Sequence, residues 1–179
     1  PETGFSGCFF LCNYGTAMNF RTAIFPVWLL ALAGSAGSFS GQYLLGMNPC
    51  VMCIEQRLAM LAALLVTTLL LILPPRCRRV QLLAGLITAL PAAFGLYVAV
   101  KQSHLQTLPV GAQPSCGAPW AFRLRDWPLF DWFEPIIRGD GACGEVYTML
   151  GIPLPWLGAA LFSLMLAALA FGLLRGKKR

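Results

Sequence analysis

Cys50-Val51-Met52-Cys53, followed one helical turn later by Arg57, is the most chemically suggestive grouping in this chain. A C-x-x-C serves disulfide exchange, metal binding or haem attachment. Residue 54 is Ile rather than His, which removes c-type haem. A cysteine that opens a helix meets unpaired amides and the positive end of the helix dipole, a setting that favours thiol chemistry. Arg57 lies four residues on, hence on the same helix face as Cys53. Its permanent cation could stabilise negative charge on sulfur or polarise an anionic or carbonyl-bearing ligand. The plainer reading is an arginine whose stem crosses apolar surface to reach lipid headgroups. A second pair, Cys116 and Cys143, follows much later, and His104 is the single histidine. That imidazole could donate a hydrogen bond to a ligand or pass a proton. Taken alone, it could also be an uninvolved interfacial residue. Two purely structural disulfides are the main alternative for the four cysteines. Zinc could use four thiolates, yet 26 residues separate Cys116 from Cys143, and no metal is expected.

The elements that carry these residues follow from composition. Of 179 residues, 58% are hydrophobic and 11% are charged. Soluble domains carry about 25% charged residues. A soluble domain of this size could not hide so much apolar surface, and disorder needs the opposite balance. Charges are absent from residues 22–54, 58–75, 80–100 and 146–174. About 20 apolar residues cross a bilayer core as a helix. Four crossings are expected, near residues 23–45, 53–73, 80–100 and 154–174. Transmembrane strands would alternate apolar and polar residues, and these runs do not. The expected fold is therefore an all-α integral membrane bundle of four transmembrane helices.

The basic residues sort by side. Arg21, Arg76, Arg78, Arg79, Arg175, Lys177, Lys178 and Arg179 flank one set of helix ends, while the other side carries six of the seven acids. A surplus of positive charge held this way indicates membrane topology rather than nucleic acid binding. The positive-inside rule assigns both termini and the Arg76–Arg79 turn to the cytoplasm. The Cys50–Cys53 turn and the long loop of residues 101–153 then share the outer compartment. Cys77 is expected on the cytoplasmic side, where thiols stay reduced.

Further features punctuate this plan. Pro74-Pro75 ends the second crossing, and Pro91 with Gly95 is expected to bend the third. Gly37-x-x-x-Gly41 reads as a close helix-packing site. Residues 127–138 space Asp131, Glu134 and Arg138 among aromatic and aliphatic residues. They suggest a short helix lying in the membrane interface, limited by Pro135 to a turn or two. Residues 1–17, with Cys8 and Cys12, fit poorly and read as an added extension. Met18 resembles a native start, which leaves 18–179 as a single domain.

Pro49-Cys50-Val51-Met52-Cys53-Ile54-x-x-Arg57, the later Cys116 and Cys143, and Pro153-x-Pro155-Trp156 at the last helix resemble the disulfide bond formation protein B (DsbB) family. The resemblance covers about residues 20–179. One departure is that the glutamate preceding the arginine in that family is Gln56 here, with Glu55 one position earlier. The resemblance implies a thiol:quinone oxidoreductase of the bacterial inner membrane. It would reoxidise a DsbA-like periplasmic thiol oxidase and pass two electrons through two disulfide pairs to ubiquinone or menaquinone. By position, Cys116 would form the mixed disulfide with the partner and Cys143 would be its mate. Cys50 would exchange with the loop pair, Cys53 would face the quinone, and Arg57 and His104 would line the quinone headgroup. The competing class is a non-catalytic membrane scaffold or small transporter with structural disulfides. A transporter would carry ionisable or broken-helix positions at mid-membrane, and the crossings hold none beyond Arg57.

Overall fold

Four long apolar helices dominate the computed structural model, which describes residues 14–109, 113, 115–149 and 151–175. They are α1 (Tyr14–Tyr43), α2 (Val51–Ile72), α3 (Arg78–Gln106) and, after the outer loop, α6 (Leu154–Arg175). Each is long and apolar enough to cross a membrane. The outer loop carries α4 (Trp120–Arg123), α5 (Phe130–Ile137) and a hairpin of β1 (Thr148–Met149) with β2 (Ile152–Pro153).

Helix ends follow local chemistry. The Cys50 sulfur caps α2, accepting from the Cys53 amide at 3.3 Å. At the other end the Leu73 amide bonds Leu69 O at 2.8 Å, and Pro74-Pro75 forbids another turn. α3 remains helical through Pro91 and runs six residues beyond its expected end at residue 100. The extension persists because Gln102 and Leu105 still bury against the bundle. It moves Lys101, Gln102 and His104 from the expected loop onto a helix. α1 begins at Tyr14, so the helix runs unbroken across the domain boundary expected at residue 18. Residues 1–13 of the expected extension, with Cys8 and Cys12, lie outside the described residues.

The principal helix contacts run α1 to α2, α2 to α3, α3 to α6 and α6 back to α1, closing a four-helix ring. Its centre holds Ile24, Val27, Ala63, Phe162 and Met165, all essentially inaccessible. The outward faces carry Leu83, Leu86, Leu90, Phe94 and Tyr97, each more than half exposed. Apolar residues on both faces describe a bundle solvated by lipid.

Small residues set the helix approach, but not at the expected positions. A Cβ added at Gly37 would meet nothing within 4 Å, and one at Gly41 would meet only ordinary contacts with Met47 and Met149. Gly37-x-x-x-Gly41 is therefore not a close-packing site. Spacing alone does not say which face of α1 meets a neighbour. Close approaches occur instead at Gly34, where Met60 fills the missing Cβ, at Gly95 against the Phe162 ring, at Gly85 against Leu173 and at Gly172 against Ala23.

Arginines close the basic end of the bundle. Arg21 Nη2 donates to Ile72 O at 3.4 Å, and Arg78 Nη2 donates to Leu173 O. Both satisfy carbonyls at helix C-termini, where cations are also favoured by the dipole. Cys77, at this same end, is disulfide-bonded rather than the free thiol expected there.

At the opposite end, α5 docks onto the last turn of α1. Tyr43 Oη donates to Pro135 O at 2.6 Å, and Gln42 Nε2 donates to Arg138 O at 3.0 Å. Ile137 is buried, while Trp132 is 83% exposed. The eight-residue length matches the limit expected from Pro135.

Candidate active site

The antiparallel run of the helices brings Cys50, Cys53, Cys116 and Cys143 to one end of the bundle. Val51 and Met52 follow Pro49 into the first turn of α2 and bury against α3, which fixes the cysteines on either side of them. Cys50 is 3% exposed, whereas Cys53 is half-buried. Their sulfurs stand 3.0 Å apart as two thiols. Gln102 of α3 reaches both, its Nε2 donating to Cys50 Sγ at 3.3 Å and to Cys53 Sγ at 3.2 Å.

Arg57 does not snorkel. It is 3% exposed and turned into the bundle. Nε donates to Ser38 Oγ at 2.8 Å, and Nη2 donates to Ser38 O at 3.2 Å. Nη1 donates to Gln42 Oε1 and, at 3.1 Å, to Ile136 O. The Phe39 ring lies under the guanidinium, 4.7 Å from centroid to Cζ. Buried charge is tolerated only when it is well bonded, and four bonds occupy four of the five N–H groups of the fork. The fifth is left for another acceptor. Ser38, Phe39 and Gln42 come from the last turns of α1 and Ile136 from α5, so one cation ties three elements together.

The loop pair lies directly above. Cys116 and Cys143 are joined in a disulfide. Cys143 is 4% exposed, and Cys116 is the more accessible of the two. A cleft of about 310 Å³ opens beside the bond, lined by Val51, Gln113, Ser115 and Asp140 together with both cysteines. Each pair thus has one buried and one more accessible member.

The two buried members share a cluster. Cys50 and Cys143 bury together with Val51, Met52, Val98 and Leu105, with Cys53, Cys116 and Trp120 packed around them. The loop is held there by backbone. Cys50 forms a parallel bridge with Gly141, and Gly141 N donates to Pro49 O at 3.3 Å. Asn48 Nδ2 donates to Asp140 Oδ1 at 2.6 Å, and Asp140 N returns a bond to Asn48 Oδ1 at 3.2 Å. Side chains at positions 139 and 141 would collide with the Asn48–Pro49 backbone, so glycines stand at both.

Of the residues singled out from sequence, Cys50, Cys53, Cys116 and Cys143 converge, and Arg57 is buried one turn along α2 from Cys53. His104 does not join them. It is exposed near the end of α3, roughly 200° around the helix from Gln102. Sequence reasoning missed Gln102, Ser38, Gln42, Asn48 and Asp140. Gln102 alone carried a signal: it falls three residues after Ala99 and three before Leu105, on one helical stripe.

Four membrane-length helices around two adjoining cysteine pairs, one bonded and one reduced, define a membrane thiol–disulfide oxidoreductase. Comparison with known proteins agrees. A family model described as "Disulfide bond formation protein DsbB" matches residues 20–172. Disulfide bond formation protein B of Neisseria meningitidis serogroup B is 49% identical over 143 residues, covering 80% of this chain and 88% of that protein. The protein of the same name from Marinobacter nauticus is 35% identical over 156 residues, covering 85% and 91%. That of Chromobacterium violaceum is 31% identical over 141 residues, covering 76% and 84%.

The chain belongs to the DsbB family. It is a multi-pass inner-membrane protein and a disulfide-forming oxidoreductase. The scaffold and transporter readings give way to this assignment.

Proposed function

We propose that this enzyme reoxidises a DsbA-like periplasmic dithiol and passes the electron pair to a membrane quinone, ubiquinone or menaquinone. In this reading the domain of residues 18–179 has both termini in the cytoplasm and its cysteines at the periplasmic surface. The observation that carries the proposal is the common burial of Cys50 and Cys143, joined by the Cys50–Gly141 bridge.

The roles divide by exposure. A thiolate of the partner attacks Cys116, the accessible sulfur of the bonded pair, and Cys143 leaves as the free thiol. Cys143 then attacks the Cys50–Cys53 disulfide at Cys50, its neighbour in the buried cluster. Release of the partner's disulfide and closure of Cys116–Cys143 leave the inner pair as a dithiol. Two electrons have then moved from the partner to Cys50 and Cys53, and the partner's two protons have gone to these sulfurs or to water. Cys53, half-buried at the membrane edge, faces the lipid-soluble acceptor. Quinone supplies a two-electron, two-proton sink when bound. Arg57 keeps one N–H of its fork, buried beside the Phe39 ring, for a quinone oxygen. A hydrogen bond from a permanent cation in a dry site is strong and already oriented. His104, open at the same end of α3, offers a second donor from the lipid side. The Trp132 face of α5 would rest in the headgroup layer and keep the loop pair close to the membrane.

The test is a trapping experiment. A DsbA-like partner lacking its second cysteine is mixed with the oxidised enzyme, and the adduct is mapped by peptide mass. Attachment at Cys116 is expected. Attachment at Cys50 or Cys53 would contradict the division of labour.

A further inference from the structure

Gln102 is 2% exposed, inside a membrane helix. An amide so placed is costly unless each polar atom is satisfied. Its donor side reaches only sulfur, bonding Cys50 Sγ and Cys53 Sγ. Its acceptor side is held by Gln56 Nε2 at 2.7 Å. Gln56 fits because α6 presents Gly158 to it; a Cβ there would collide with Gln56 Oε1. Three helices therefore contribute to one line of groups that ends on the inner cysteine pair.

The acceptors are informative. A thiol or disulfide sulfur is a weak acceptor, so two amide hydrogens aimed at sulfur repay little while the pair is oxidised. A sulfur that carries negative charge accepts strongly. The arrangement thus favours a reduced pair that carries a thiolate over the oxidised pair. Gln56 donates to Gln102, which sets the sense of the contact. Its NH₂ can bond only the oxygen of Gln102, which turns the Gln102 nitrogen toward the sulfurs.

We propose that Gln102 is a further catalytic residue, whose amide N–H groups hold the Cys50 and Cys53 sulfurs in their reduced state, and that Gln56 is the positioning residue that orients it. The proposal rests on the thiol relay described above. In the step it assists, the inner disulfide breaks as Cys116–Cys143 closes. The electron pair passes from the loop sulfurs to Cys50 and Cys53; one sulfur takes a proton, the other keeps the negative charge toward which the Gln102 amide donates, and the second proton passes to water. Favouring the reduced inner pair draws electrons across.

The test needs neither quinone nor protein partner. The full chain is equilibrated in detergent with glutathione buffers, quenched and alkylated, and the oxidised fraction of each pair is read by peptide mass. The inner reaction is Cys50–Cys53 disulfide plus two glutathione thiols giving the dithiol plus glutathione disulfide. Gln102→Met keeps the size and removes the donors. It should lower the equilibrium constant for inner-pair reduction at least about tenfold, a shift of about 30 mV to more negative potential. The Cys116–Cys143 equilibrium should stay within about twofold of wild type. Gln56→Met should shift the inner pair in the same direction by less, and it carries the test if Gln102→Met does not fold. An inner pair unmoved by the folded variants, or both pairs moving together, would overturn the proposal. Failure of the wild-type enzyme to reduce quinone would instead sink the relay, leaving this equilibrium measurable.

Discussion

Asn48 and Asp140, 92 residues apart in sequence, hold each other by two hydrogen bonds, one through each of the Asn48 amide atoms. Asn48 stands two residues before Cys50, and Asp140 three residues before Cys143. The pair acts as a clasp that keeps the buried sulfur of the loop beside the buried sulfur of the membrane helix. Together with the Gly141–Pro49 backbone bond, it spares the loop from having to find α2 anew in each cycle. Holding two reactants in place removes that entropic cost from the reaction.

Asn48→Leu should therefore slow the passage of electrons between the pairs, lowering overall turnover by about tenfold for the loss of roughly 1.4 kcal/mol of positioning. Reduction of Cys116–Cys143 by the partner should be unchanged, as should oxidation of the inner pair by quinone. Rapid-quench alkylation, read pair by pair, separates these steps. Equal slowing of all three would mean that the clasp serves general stability instead.

Cys116→Ala should abolish turnover fed by the protein partner. A small dithiol that reaches Cys50–Cys53 directly should still drive quinone reduction, because the inner pair and Arg57 remain. Loss of both activities in folded protein would place the loop pair within the quinone-facing step itself.

Arg57→His should raise the quinone KM more than the KM for the protein partner. The substitution removes the N–H available to the quinone and disturbs contacts with Ser38 and Gln42, neither of which lines the Cys116 cleft. Steady-state kinetics with each substrate varied in turn gives the ratio. An unchanged quinone KM would reduce Arg57 to a structural tie among α1, α2 and α5.

Two glycines in the bundle should respond oppositely to the same substitution. Gly95→Ala drives a methyl into the Phe162 ring and should cost about 1–3 kcal/mol, the usual range for overpacking. Gly37→Ala meets nothing within 4 Å and should be neutral or slightly stabilising. Thermal unfolding in detergent compares the two directly.

The helices and the gathering of four cysteines at one end of the bundle were legible because bilayer thickness imposes a length and a composition that few other constraints mimic. Arg57 was legible because a cation amid apolar sequence needs a reason. The Asn48–Asp140 clasp was not, since a pairing across 92 residues leaves no local pattern. Gln102 escaped because the third crossing was ended at its last apolar residue, whereas packing carried α3 on to Gln106. Gly37-x-x-x-Gly41 misled for a related reason: a motif gives a spacing and not a direction, and the neighbour of α1 lay on the Gly34 side. His104 shows the same limit. Its type suggested a donor at the membrane edge, but only the helix phase separates it from the sulfurs that Gln102 touches.

The most direct test of the account is a single assay. Purified enzyme in detergent is mixed with oxidised quinone and the reduced DsbA-like partner, and quinone absorbance is followed with time, for wild type and for Cys50→Ala and Cys53→Ala. Catalytic loss of oxidised quinone that requires both substrates, and that vanishes in each variant, is the predicted result. Wild-type turnover by either variant, or no loss with ubiquinone or menaquinone in folded wild-type protein, would contradict it.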